Sequence, residues 1–144
     1  MRHPAGLFLF GLLLATTACE RSAPPIHHFP EVRCERNVCR SRLDDQLIVL
    51  RFLAPPNALR AFDFEVVMPG LADDAVVRTT FIMPGMEMGR NVYRLQPAGA
   101  GRFTARAILP LCTRGRRDWQ AVVTIEDATG VREARFAFVV GSGA

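Results

Sequence analysis

Apolar and polar residues alternate along most of the chain between positions 47 and 140, and the three-to-four spacing of an amphipathic helix is nearly absent. Residues 47–53 read as a strand, closed by Ala54-Pro55-Pro56-Asn57. Residues 61–67 read as a second, closed at Pro69-Gly70. Residues 75–82 and 91–95 predict a third strand and a short fourth. Residues 102–109 alternate clearly and stop at Pro110, and residues 119–125 follow. Asp127-Ala128-Thr129-Gly130 then turns the chain into residues 131–140, so the last two strands are expected to form a hairpin. About seven short strands with turn residues every 8–12 positions predict an all-β fold, an immunoglobulin-like β-sandwich. Trp119 is expected in its core. Asp44-Asp45 and Asp73-Asp74 fall between strands and read as turn formers.

The first thirty residues do not share this pattern. Met1-Arg2-His3 is followed by an apolar run over residues 6–15, so residues 1–18 read as a secretory signal peptide. The run is shorter than the roughly 20 residues that span a bilayer. It ends in Ala15-Thr16-Thr17-Ala18-Cys19, which resembles a bacterial lipoprotein signal, with Thr16 in place of the usual leucine. That resemblance implies acylation of Cys19 (palmitate included), a membrane anchor and a domain facing the periplasm. Glu20, rather than aspartate, after the cysteine implies outer-membrane over inner-membrane delivery. Residues 19–30 contain three prolines and no apolar period, and are expected to form an extended tether of about 30 Å. His27 and His28 lie in it and read as solvated rather than as ligands. Residues 31–141 are long enough for one domain with its own core.

Charge narrows the partners. All 18 basic residues are arginine, against 14 acidic ones, for a net +4. The arginines are spread along the strands and suit their solvent faces. An exported chain with no basic block is not expected to bind nucleic acid. No Gly-x-Ser-x-Gly or His-Glu-x-x-His motif occurs, and the only histidines beyond the signal peptide are in the tether, so an enzyme is not expected.

The candidate chemistry lies in Met83-Pro84-Gly85-Met86-Glu87-Met88-Gly89. Pro84 and Gly85 suit the central positions of a type II turn, which brings the Cα atoms of Met83 and Met86 within about 7 Å. If the chain then extends, Met86 and Met88 face one side and Glu87 the other. Thioethers are soft and neutral, need no deprotonation, and select copper(I) over harder ions. Methionine also fills irregular gaps under loops. Val67-Met68-Pro69-Gly70 echoes Ile82-Met83-Pro84-Gly85, so Met-Pro-Gly can serve only to end a strand. The echo shifts weight from Met83 to Met86 and Met88.

Beyond Cys19, three thiols remain: Cys34, Cys39 and Cys112. An oxidising compartment favours one disulfide, and the odd count leaves one thiol over. Cys34 and Cys39 can face each other across a tight hairpin as a non-hydrogen-bonded pair. Cys112 would then be a free thiol and a candidate fourth ligand near the methionine turn. Cys39–Cys112 and Cys34–Cys112 pairings, which close larger loops, remain open. Arg114, Arg116, Arg117 and Asp118 read as a solvated loop, with Arg117 and Asp118 as a surface pair worth little.

The methionine motif, Asn91-Val92-Tyr93-Arg94-Leu95, Gly99-Ala100-Gly101-Arg102-Phe103, Leu109-Pro110-Leu111-Cys112 and the run from Gly115 to Trp119 together resemble the YtkA-like and FixH-like group. These are small immunoglobulin-like domains, often membrane-anchored, several of them associated with copper handling or cytochrome oxidase assembly. The likeness covers about the central half of the chain. Cys112 stands near the place of a later methionine of the group, and the loop to Trp119 is longer. The resemblance implies a copper(I)-binding or copper-delivering envelope lipoprotein, with Met83, Met86, Met88 and Cys112 as the ligand set and an envelope protein as copper donor or acceptor. The alternative is a non-metal structural or protein-interaction module of the envelope.

Overall fold

A chain written in period-two alternation has one apolar face per strand to hide, and two sheets packed face to face hide both. The computed structural model describes residues 32–141; the expected signal peptide and tether, with Cys19, His27 and His28, lie outside them. The described residues form ten strands and no helix: β1 (Val32–Arg33), β2 (Val38–Leu43), β3 (Gln46–Phe52), β4 (Phe62–Val67), β5 (Val76–Ile82), β6 (Val92–Arg94), β7 (Gln96–Pro97), β8 (Arg102–Ala107), β9 (Asp118–Asp127) and β10 (Gly130–Val139). One sheet has the order β1-β10-β9-β5-β6 and the other β2-β3-β4-β8-β7. Every pairing is antiparallel except the short β1–β10 contact.

The expected sandwich is therefore present, and β9 and β10 form the expected hairpin, in register from Gly130↔Asp127 to Val139↔Asp118. The strand count is ten rather than about seven. β1 and β7 are two residues each, too short to leave a period. In β2, Cys39 and Leu43 are the buried positions, but three polar residues separate them and hide the alternation.

The core is aromatic at its centre. In β5, Val77, Thr79 and Phe81 point inward with no exposed surface. Phe81 touches Phe62 and Phe64 of the opposite sheet, and Tyr93 and Phe138 of its own. Its contacts with Phe62, Phe64 and Phe138 are edge-to-face, the arrangement that the ring quadrupole favours. Each fully buried phenylalanine contributes about 1.5–3 kcal/mol of transfer free energy. Trp119 is also buried in this core, as expected.

The chain crosses between sheets at both lateral edges. On one side it leaves β1 in the first sheet and enters β2 in the second through a two-residue turn, Arg36-Asn37. Glu35 and Val38 exchange both backbone hydrogen bonds, at 3.0 and 3.1 Å. The next pair outward, Cys34 and Cys39, is thus non-hydrogen-bonded, with Cα atoms 4.2 Å apart, and is joined by a disulfide. On the other side, buried Leu95 alone separates β6 from β7.

The predicted turns hold. Asp44 and Asp45 both adopt positive φ, 48° and 64°, as a two-residue hairpin loop requires. The Met68-Pro69-Gly70 turn closes with Leu71 N donating to Met68 O at 3.0 Å, and Gly70 has φ 87°. This turn is held from behind by Gly101, whose carbonyl accepts from Met68 N at 2.9 Å. A Cβ on Gly101 would lie 2.2 Å from Met68 O, and φ there is +69°. Gly99 has a similar φ but open space around it.

Two stability measurements follow. Gly101→Ala is expected to lower unfolding free energy by about 3 kcal/mol, and Gly99→Ala by about 1 kcal/mol, in urea titrations. Thr79 sits between Val77 and Phe81 on the inward face, and its hydroxyl has no hydrogen-bond partner among the described residues. Thr79→Val, which removes that buried orphan at constant shape, is expected to raise stability by about 1 kcal/mol in the same titration.

Candidate functional site

Met83 continues the inward series of β5, two residues beyond Phe81, and is 1 % exposed. Pro84 and Gly85 then reverse the chain. Met86 N donates to Met83 O at 3.0 Å, and φ of Gly85 is 75°, the geometry of a type II turn. Met86 and Met88 are half-buried and pack against the core, whereas Glu87 is exposed. Glu87 Oε1 accepts from Gly89 N at 3.0 Å, and Asn91 Nδ2 donates to Met88 O at 3.0 Å. Asn91 O accepts from Phe81 N at 2.9 Å, which returns the chain to the sheet. The loop is thus closed by its own hydrogen bonds.

The second half of the site comes from the connection between β8 and β9. Tyr93 Oη donates to Ile108 O at 2.6 Å, and Leu59 N donates to Leu109 O at 2.9 Å, so this segment is pinned to β6 of one sheet and to the β3–β4 connection of the other. Cys112 turns inward, 4 % exposed, and its carbonyl accepts from Gly115 N at 3.0 Å. Its Sγ lies 3.7 Å from Met86 Sδ. With Cys34 and Cys39 joined to each other, Cys112 is a free thiol, and the two competing pairings are not formed. The fold thus brings Met86 and Cys112 together across 26 residues of sequence. It places Met83 beneath them in the core and Met88 partly buried on the same loop.

Arg116 ties the two halves. Its Nη1 donates to Pro84 O at 2.9 Å, and its guanidinium forks onto the Asp118 carboxylate. The expected surface pair therefore involves Arg116 rather than Arg117. Asp118 opens β9 with its side chain on the outer face, and Arg116, two residues earlier, falls on that same side. The hydrogen bond to Asp118 raises the Arg116 pKa above its ordinary value, with a smaller contribution from Cys112, and lowers that of Asp118. Both groups are solvent-facing, so the pair positions the loop more than it stabilises the fold. Beside Cys112 lies a cleft of about 70 Å³ walled by Ala58, Leu111, Arg116, Trp119 and Val140.

Nothing in the sequence separates Arg116 from Arg114 and Arg117; its role comes from the turn it meets 32 residues away. A second feature not read from sequence is a cleft of about 610 Å³ at the opposite end, beside the Met68-Pro69-Gly70 turn, with Asp74, Glu126, Asp127 and Arg132 in its wall. Among the described residues, no three His, Cys, Asp or Glu side chains are placed to hold a metal ion. A metal at the methionine end would rest on thioethers and one thiol.

Arg116→Ala is expected to release the loop from Pro84 and raise the rate of Cys112 alkylation by iodoacetamide roughly three- to tenfold, with far-UV circular dichroism unchanged. An unchanged rate would mean that the clasp does not hold the loop. Compared with protein-family models, curated proteins and solved structures, the chain matches none of them.

Proposed function

We propose that this protein binds copper(I) between the methionine turn and the Cys112 loop, as a lipid-anchored domain of the cell envelope facing the periplasm. The observation that carries this reading is the 3.7 Å separation of Met86 Sδ and Cys112 Sγ. Two sulfurs each about 2.3 Å from one ion, at a tetrahedral angle, lie about 3.8 Å apart. A thiolate and a thioether are both soft donors, and the thiolate supplies the charge that neutral thioethers lack. Met88, half-buried on the same loop, is the third donor in this reading. Met83, 1 % exposed, anchors the turn and reaches an ion only if the turn shifts. Bound copper passes to or from another envelope protein, with outer-membrane anchoring at Cys19 favoured over inner-membrane anchoring. No catalytic role is proposed.

A second reading, a non-metal structural or interaction module, draws on a specific feature. The Met68-Pro69-Gly70 turn has the same geometry, with buried Met68 at its start and buried Leu71 at the position of Met86. An apolar residue at each position is thus enough to seat the turn, and 3.7 Å is also ordinary contact between packed sulfurs.

Anaerobic competition against a chromogenic copper(I) chelator separates the two. With Cys19→Ser chain, one copper(I) per molecule is expected. Cys112→Ser, and Met86→Leu with Met88→Leu, should each weaken binding about tenfold or more, while Met83→Leu changes it less than about threefold. Leucine for methionine keeps volume and costs under about 1.5 kcal/mol of stability. If the unsubstituted sulfur set binds copper(I) no tighter than the protein lacking it, the packing reading stands.

A further inference from the structure

The end of the sandwich that carries the methionine turn also carries several large aliphatic side chains turned to solvent, Leu53 and Val139 among them. Leu59, Ile108 and Leu111 are 62 %, 52 % and 51 % exposed. They sit on adjoining connections, joined by the Leu59 N–Leu109 O bond, and Ile108 is held on both its backbone groups by the Tyr93 hydroxyl. These tips are therefore rigidly presented.

Charge is sorted between the two ends. Residues 53–61 and 108–117 contain no carboxylate and carry Arg60, Arg114, Arg116 and Arg117. Asp44, Asp45, Asp73 and Asp74 all occupy turns at the opposite end. Of the carboxylates on the turns nearest the methionine end, Asp118 is paired with Arg116, Glu87 is bonded to Gly89 N, and Glu35 is followed by Arg36 on the turn between β1 and β2.

We propose that this end is a membrane-docking surface: Leu59, Ile108 and Leu111 enter the interfacial layer of an anionic bilayer, and Arg114 and Arg117 meet its phosphates. The pattern fits lipid better than protein. Protein interfaces concentrate their affinity in aromatic anchors, and here Trp119 is buried while the Tyr93 hydroxyl is occupied by Ile108. Aliphatic tips beside guanidinium groups suit the acyl–headgroup boundary, where apolar burial and attraction to anionic lipid add. The end opposite, rich in aspartate, would be repelled from the same surface. Reach is sufficient for a chain anchored at Cys19. β1 joins β10 at Phe136, close to the methionine end, and thirteen residues, 19–31, would reach roughly 40 Å if fully extended at about 3.1 Å each. The surface is independent of copper binding, but docking would bring the Cys112 cleft against the bilayer.

The test uses the metal-free chain from residue 20 onward, so that neither the apolar run of residues 6–15 nor an acyl group contributes, in co-sedimentation with vesicles. Binding is expected to equal mixtures of phosphatidylglycerol and phosphatidylcholine, not to phosphatidylcholine alone, and to weaken with salt. Arg114→Gln with Arg117→Gln should lower the partition coefficient about thirtyfold, from about 1 kcal/mol per arginine. Leu111→Ser should lower it further at unchanged charge. Arg40→Gln with Arg106→Gln, exposed on the strands, removes the same charge elsewhere and should have a much smaller effect. Equal losses from both pairs would reduce the interaction to net charge and overturn the proposal. So would absence of vesicle binding, or retention by polyglutamate without vesicle binding, which would point to an acidic protein instead.

Discussion

Packing around Phe81 is the constraint on which the rest of the structure depends. Its ring meets Phe62 and Phe64 from the facing sheet and Phe138 and Tyr93 from its own. Because side chains alternate along a strand, fixing Phe81 inward also fixes Val77, Thr79 and Met83 inward. A slip of one residue would expose all four together. The methionine turn therefore starts from a side chain sunk in the core, and its direction is inherited from the packing of the sandwich. Met86 is then placed by the turn, and the Cys112 loop is brought to it by Arg116 and by the bonds of Leu59 and Tyr93.

The protein contains its own comparison. Two Met-Pro-Gly turns end strands β4 and β5 at opposite ends of the sandwich, and each buries its methionine. At the first, the position three residues on is Leu71, and Gly101 packs behind the turn without a side chain. At the second, that position is Met86, and a thiol stands opposite. What the two turns share is a solution to ending a strand. What differs is sulfur chemistry, confined to Met86, Met88 and Cys112.

Much of this was legible in the sequence, for physical reasons. Strands β3 to β6 and β8 to β10 could be read because each presents one face to a single core and must alternate, and their ends carry Pro, Gly or paired Asp. The Cys34–Cys39 bridge was readable because four intervening residues allow a tight turn with the cysteines opposed. β1 and β7 were not, since two residues carry no period. The proximity of Cys112 to Met86 was only a conjecture, because it depends on how two connections from different sheets fold over one end. Arg116 was misread as equivalent to its neighbours, because identical side chains in one loop differ only in what they meet.

The two crossings between sheets have a further meaning. Each sheet of a sandwich has two edge strands, and each exposed edge is a template for another chain. Here the edge of β10 is covered by β1 at Phe136 and Ala137, where the disulfide anchors it, and Arg132, Glu133 and Arg135 lie along the remainder. The other side ends in strands of two and three residues. The six-residue β2 is left as the longest edge strand of the second sheet, and exposed Arg40 and Arg42 along it oppose the addition of another strand. Opening the Cys34–Cys39 bond would untie β1 from β2 and loosen its cover over β10, so the disulfide guards a strand edge as well as the fold's stability.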